Sequence, residues 1–489
     1  MGETGMDNGE MLQAVAQKRD ALLQGDAARI ARQHADGKCT ARERVTKLFD
    51  AGSFMEMDTL RADSNLIAGC GTIGGQAVYC FAQDYTAAGG AMTKAQTAKI
   101  LKTLNAACVT GAPVVALMDS EGVKITDGAD AMPAYAQVLS AMARMSGVSP
   151  MICCVMGPCR GLATLLTQVC DITVQVEKTG KIALHTALVM NAEKGKDKTE
   201  DQLFGAAAMA AQGVAALTAQ SEDEALGLVA EVIGLLPACN MEDAPLTEAD
   251  DLNRAVACGD AAEAETLMRE IADEGRLVAL YDGYGAALRV ALARVGGRTV
   301  GLVASDYAQD QGRLTQEACR KAARFVRLCD CYHLPIVTLV NTDGVAVPCP
   351  CGQGAAIRGA AELLYAYAEA TAPKVAVITG NAVGAAYAAM GGKHIADMIY
   401  AWPTAMIAPL TREAAVQTWD GEKLNAGESR EALENAYASK CGALYAAQNG
   451  MVDDVIAPAD TRRYVIAALE LLFTKHDVNL PKKHGNLPL

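Results

Sequence analysis

Large aromatic side chains are scarce in this chain: six Phe, two Trp and fourteen Tyr among 489 residues. Its cores must therefore be closed by small and aliphatic side chains, which lets helices and strands approach closely. No apolar run reaches the roughly 20 residues that a membrane-spanning helix requires; MICCVMG, at 151–157, is of strand length. Positive charge is also in short supply. A formal net charge of −14 argues against a nucleic-acid partner, which needs basic patches. There is no P-loop, no Gly-x-Gly-x-x-Gly after a strand and no Gly-x-Ser-x-Gly elbow, so nucleotide-binding and serine-hydrolase readings lack their motifs. His185, His333 and His394 share no ligand spacing, and Cys329/Cys331 and Cys349/Cys351 lack a zinc partner set; no metal is expected. The N-terminus MGETGMDNGEMLQ is acidic and polar, unlike a signal peptide. The sixteen cysteines are therefore expected to be reduced cytosolic thiols.

What is present is one passage written twice. Residues 74–123 align without a gap to residues 296–345, and fourteen of the fifty positions are identical. Gly74-Gly75 meets Gly296-Gly297, Asp84-Tyr85 meets Asp306-Tyr307, and Gly122-Val123 meets Gly344-Val345. One residue further along the register, Gly157 meets Gly380 and Gly161 meets Gly384. A repeat this long exceeds the roughly 20–50-residue period of a solenoid and means two domains of one fold.

Each half reads as strands alternating with helices. In the first, QAVYCFAQD, PVVALMDS and MICCVMG are strands, and the helices run through AKILKTLNAACV, AYAQVLSAMARM and ATLLTQV. The second repeats the order with RTVGLVASD, PIVTLVNT and KVAVITG, and a helix through AAYAAM. This alternation predicts an α/β fold with mainly parallel, buried sheets. A charged lead helix is expected over 9–36, and Thr40-Ala-Arg-Glu43 is a capping box opening another. The polar stretch PACNMEDAPLTEADD places a boundary near residue 245, giving domains 1–245 and 246–489.

In each half two buried strands are expected to end in glycine turns. These are Asp119-Ser-Glu-Gly122-Val123 with Gly157-Pro-Cys-Arg160-Gly161-Leu162, and Asn341-Thr-Asp-Gly344-Val345 with Gly380-Asn-Ala-Val383-Gly384-Ala385. A helix that begins at such a turn presents unsatisfied N–H groups carrying partial positive charge. Two aimed at one oxygen form an oxyanion hole, suited to an enolate or a tetrahedral intermediate. Ordinary strand-exit turns of an α/β sheet have the same pattern, and Ser120 reads as a turn hydroxyl. The run Glu193–Lys198 reads as a solvated mixed-charge loop.

TARERVTKLFDAGSFMEMD, SGVSPMICCVMGPC, KAARFVRLCDCYHLPIVTLV, LLYAYAEATAPKVAVIT and KHIADMIYAWPTA resemble, in order, motifs of the carboxyltransferase subunits of biotin-dependent acyl-CoA carboxylases and decarboxylases. The resemblance implies two tandem crotonase-like domains related by internal duplication. One would bind a CoA thioester and stabilise its enolate; the other would bind biotin and stabilise charge on its ureido oxygen. By position, the thioester hole would use Gly122, Val123, Gly161 and Leu162, and the biotin-side hole Gly344, Val345, Ala385 and Ala386. Val383 and Gly384 would contact biotin. The chain has no Ala-Met-Lys-Met biotinyl-lysine motif, so biotin would arrive on a separate carrier protein as a co-substrate. The favoured type is a decarboxylase acting on methylmalonyl-, malonyl- or glutaconyl-CoA, partnered by a membrane subunit that exports sodium. The resemblance also implies a homo-oligomer, a hexamer built as a trimer of dimers, in the cytoplasm or peripheral to the inner membrane through its partners. Departures cluster at the turns: Glu121, Arg160 and Leu162 add charge or bulk where the family has small residues, while Val383 and Ala388 replace a tyrosine and an aspartate. These leave two further readings: a biotin-independent crotonase-type lyase, hydratase or hydrolase with Glu121 as acid/base, and a catalytically impaired scaffold.

Overall fold

The computed structural model describes residues 8–61, 66–195, 197–257, 259, 263–347, 352–486 and 488; Lys196, Cys349 and Cys351 lie outside them. It forms two compact units, Met1–Gly234 and Leu235–Leu489.

The first unit opens with two helices where the sequence predicts one, α1 (Asn8–Gln24) and α2 (Ala27–Ala35). The break has a local cause. Gly25 adopts φ +60°, and the Asp26 carboxylate accepts from the N–H groups of Ala28 and Arg29, starting a new helix. Helix α3 (Ala41–Leu48) begins on the predicted capping box, with both reciprocal bonds between Thr40 and Glu43 present. Among the described residues the unit then builds one eight-stranded sheet. Its leading strands are β1 (Met55–Glu56), β2 (Leu66–Ile73) and β3 (Gln76–Gln83), which pair antiparallel in turn. The parallel part runs from β3 through β4 (Val114–Ser120), β5 (Met151–Arg160) and β6 (Ile172–Val176), with β7 (Lys181–Ala183) beside the end of β5 and β8 (Leu217–Ala219) beside β6. Helices α4 (Lys94–Thr110) and α5 (Met132–Met145) follow β3 and β4 and contribute to the core. That core is built from Leu66, Phe81, Met118, Tyr135, Met142, Cys153 and Val155, so sulfur and aliphatic groups fill the place of aromatics. Burial pushes the Cys154 thiol up to about 12, which keeps it protonated and unreactive at neutral pH.

The second unit copies this plan. Strands β9 (Leu277–Leu280), β10 (Leu288–Val295) and β11 (Arg298–Ser305) are antiparallel, and β11, β12 (Ile336–Thr342) and β13 (Lys374–Val383) are parallel. The helix Gln316–Cys331 is the counterpart of α4, and the helix Gln353–Glu369 that of α5. Trp402, Leu302, Val337 and Val375 pack in its core.

Lys99 and Lys321, identical in the repeat, are both buried; Lys99 ties its helix to β2 and Lys321 ties its helix to the residue that follows β9. Lys99 Nζ donates to Leu66 O (2.6 Å) and Lys321 Nζ to Tyr281 O (3.3 Å). Burial pushes Lys321 down to about 8 from the ordinary 10.5. Between those values the unfolded chain binds more protons at this site than the folded one, so stability rises with pH across the window. At most about 3 kcal/mol is recovered by pH 10. Comparing the unfolding free energy of the wild type and Lys321→Met at pH 7.5 and pH 10 should show this increment only in the wild type.

Candidate functional site

The strands that carry the site do not end where the sequence suggests. β5 runs through Gly157 and Pro158 to Arg160, and β13 runs through Gly380 to Val383. The reason lies across the sheet. Pairing of β4 with β5 shifts register between Met118 and Ser120, and that of β12 with β13 between Val340 and Thr342. The irregularity turns the side chains of Asp119 and Asn341 against the neighbouring strand. A Cβ on Gly157 would collide with the Asp119 carboxylate, and one on Gly380 with the Asn341 amide. These glycines make room for a side chain; they do not stop the strand.

The turns follow immediately. Gly122 and Gly344 have φ of 101° and 115°, and Gly161 and Gly384 of 58° and 54°, all in the left-handed region that favours glycine. Within unit one the two turns touch: a Cβ on Gly122 would lie 2.9 Å from Arg160 O. Within unit two a Cβ on Gly344 would lie 3.6 Å from Val383 O. Gly122 and Val123 are thus brought to Gly161 and Leu162, and Gly344 and Val345 to the Val383–Ala386 segment.

Hydrogen bonding separates the N–H groups at each turn into engaged and available. Gly122 N donates to Ser120 Oγ (3.0 Å) and Gly344 N to Thr342 Oγ1 (3.1 Å). Ser120 is therefore a turn hydroxyl, and the two glycine N–H groups belong to the turn. On the next residues, Met92 N donates to Gly122 O and Lys124 N to Met92 O; Leu314 N donates to Gly344 O and Ala346 N to Leu314 O. Successive N–H groups of an extended chain point to opposite sides, so Val123 and Val345 direct theirs away from these bridges. Among the described residues neither has a protein acceptor. A helical turn starts at Gly161 and another at Gly384, and N–H groups of a first turn have no intrahelical acceptor. Beyond Ala386 the expected helix becomes a π-helical turn, Tyr387–Gly391. The His394 ring engages Ala388 O (2.9 Å), the carbonyl that an α-helix would have offered to residue 392.

Charged groups flank the first pair of turns, and no spacing in the sequence brings them together. Glu121 Oε2 lies 2.8 Å from Arg160 Nε, and Glu121 Oε1 accepts from Tyr85 Oη (3.0 Å). Arg160 Nη1 and Nη2 each donate to Glu200 at 3.2 Å. Burial, then the Glu121 charge, pushes the Tyr85 phenol up to about 12, so it stays a donor. The second pair of turns has a smaller version: Tyr307 Oη donates to Asp343 Oδ2 (3.5 Å), and Asn381 Nδ2 to Asp343 Oδ1 (2.6 Å). Identity of Tyr85 and Tyr307 in the repeat was the visible signal for both. Beneath the first pair of turns Asp119 is fully buried, bound by Lys38 (2.9 Å), Arg44 (2.8 Å) and Gln33 (3.1 Å).

Two duplicated α/β units, each with backbone N–H groups presented at a paired glycine turn, define the class of fold. The sequence comparisons give that class its family. The carboxyl transferase domain matches residues 32–487, and the chain belongs to that family. It is 35% identical over 494 residues to the methylmalonyl-CoA decarboxylase subunit alpha of Veillonella parvula, covering 95% of this chain and 96% of the relative. It is also 35% identical over 524 residues to the propionyl-CoA carboxylase beta chain of Saccharopolyspora erythraea, covering 98% and 96%. The transcarboxylase 12S crystal structure, a hexamer assembly with methylmalonyl-coenzyme A and methylmalonic acid bound, superposes with a TM-score of 0.95 at 32% identity over 100% of both chains. The family, the tandem fold and the enzyme class expected from the motifs, an acyl-CoA carboxyltransferase, are borne out.

Proposed function

We propose that the chain is the carboxyltransferase subunit of a biotin-dependent acyl-CoA decarboxylase, with unit one taking the CoA thioester and unit two the biotin delivered by a separate carrier protein. The observation that carries the reading is the matched pair of turns with available N–H groups at Val123 and Val345. In unit one, Val123 and the Gly161–Leu162 turn would hold the thioester oxygen while the bond from the α-carbon to its carboxylate breaks and charge moves onto that oxygen. In unit two, Val345 with Ala385 and Ala386 would hold the ureido oxygen as the carboxylate is accepted on nitrogen and that nitrogen's proton passes to the α-carbon of the enolate, and Val383 and Gly384 would line the ring. Gly122 and Gly344 shape the turns. Such donors stabilise charge that develops during the reaction and need no rearrangement to do so.

Substrates of the methylmalonyl-, malonyl- or glutaconyl-CoA kind fit this reading; methylmalonyl-CoA stands first through the Veillonella relative and the ligand in the transcarboxylase structure. With both oxygens of Glu121 engaged, a lyase that uses it as acid/base lacks a free group, which favours transfer. No helix among the described residues is long and apolar enough to cross a membrane, so sodium export would belong to a membrane partner that holds this subunit at the inner membrane. The hexamer assembly of the transcarboxylase 12S structure supports a homo-oligomer, with the hexamer as its form.

The test is to incubate the purified chain with the three thioesters, with and without free biotin. Biotin-dependent loss of the carboxylate is expected, fastest with methylmalonyl-CoA. Turnover indifferent to biotin would replace this reading with the lyase, and no turnover by a folded oligomer would replace it with the scaffold.

A further inference from the structure

Arg160 is the last residue of β5 and stands at the lip of the first hole, beside Gly161. Two carboxylates share its guanidinium, and they are held very differently. Glu121 is fixed on several sides. Its N–H donates to Gly89 O (2.9 Å), Tyr85 donates to its Oε1, and its Cγ packs against Gly89, where a Cβ would come within 3.2 Å. Glu200 opens the short helix Glu200–Phe204, is 45% exposed, and has both oxygens on Arg160. A half-exposed pair of this kind contributes little stability, so it is readily exchanged. Arg160, at 21% exposure, is partly withdrawn from water, and the Glu121 carboxylate stands 2.8 Å from its Nε as a neighbouring charge. A guanidinium held this way presents a planar fork that matches a carboxylate through two parallel bonds.

The geometry points to Arg160 as a specificity-determining residue that binds the free carboxylate of a malonyl-type CoA thioester, the substrate carboxylate taking the place of Glu200. The exchange puts one carboxylate where another was, so the local charge is unchanged. A thioester without a free carboxylate leaves Glu200 in place and gains nothing from the arginine. The inference rests on the reading that unit one takes the thioester.

Equilibrium titration of the full chain with CoA, acetyl-CoA and malonyl-CoA, in the absence of biotin, tests it. The wild type is expected to prefer malonyl-CoA over acetyl-CoA by about tenfold, the size of a charge-assisted pair. Arg160→Met should bring that ratio close to one while leaving the acetyl-CoA Kd within about twofold. Glu200→Gln removes the competing charge and should raise the ratio, and Arg160→Lys should retain part of it. Thermal unfolding checks that each variant is folded; if Arg160→Met is not, Arg160→Lys and Glu200→Gln carry the test. An unchanged ratio in the folded variants overturns the inference alone. Equal weakening of CoA, acetyl-CoA and malonyl-CoA also overturns it, because it would place a CoA phosphate on Arg160. Failure of the wild type to bind any of the three overturns the thioester reading and the inference with it.

Discussion

Asp119→Ala is expected to destabilise unit one by about 3–5 kcal/mol, the usual cost of removing one partner from a buried ionic network. Asp119 and Arg44 are both 0% exposed, and Lys38 is 7% exposed. Asp119 Oδ1 meets Lys38 Nζ at 2.9 Å and Oδ2 meets Arg44 Nη1 at 2.8 Å, while Arg44 also reaches Glu222 through Nη2 at 2.5 Å. Without Asp119 the Lys38 ammonium loses its anion, and Arg44 keeps only Glu222. The same carboxylate fills the space left by Gly157, so truncation also opens a hole beneath the turn. Asp119→Asn separates the two effects: it retains the shape, as Asn341 does in unit two, and removes only the charge. Most of the loss should persist in Asp119→Asn, since the stranded cations dominate. Both tryptophans, Trp402 and Trp419, lie in unit two, so unfolding of unit one is best followed by far-ultraviolet circular dichroism in urea. A loss below about 1 kcal/mol would mean that the cations rehydrate.

Deleting the Leu162 N–H is expected to lower the carboxyl-transfer rate by about 10²–10³, the effect of removing one oxyanion donor from a preorganised site. Proline is a poor tool here, because it restricts the preceding residue and Gly161 holds a left-handed conformation. Replacing Leu162 by its α-hydroxy analogue turns the amide into an ester. That removes the donor and keeps the side chain and the turn. The first-turn N–H has no intrahelical acceptor to lose, so stability should change little while the rate falls. A rate within threefold or so of the wild type would remove Leu162 from the hole.

Much of this architecture was legible in the sequence because it rests on local signals. The repeat, the strand–helix alternation and the capping box at Thr40 each depend on residues within a few positions of one another. Features set by distant partners were not. Gly157-Pro158 looks like a strand stop until Asp119, 38 residues earlier, is seen to need the space above Gly157. The lead helix divides at Gly25 for a local reason that the expected single helix did not include: Asp26 caps a new start. At the site, the positions of the turns could be read, but not which N–H groups were engaged. That depends on the Ser120 and Thr342 hydroxyls folding back onto Gly122 and Gly344. Nor could the sequence reveal that Arg160 faces Glu200, since no periodicity links a strand end to a helix forty residues away.

The proposed function divides the labour, with the thioester held in unit one and the biotin in unit two. Parallel amide-to-ester changes at Leu162 and Ala385 test it, with transfer rates measured against acyl-CoA and biotin concentration and acyl-CoA affinity measured by titration. Each change should slow transfer. The Ala385 change should leave the acyl-CoA Kd at the wild-type value and place its loss in the dependence on biotin, whereas the Leu162 change should place its loss in the dependence on acyl-CoA. If both changes weaken the use of the same substrate, the two units do not divide the reaction.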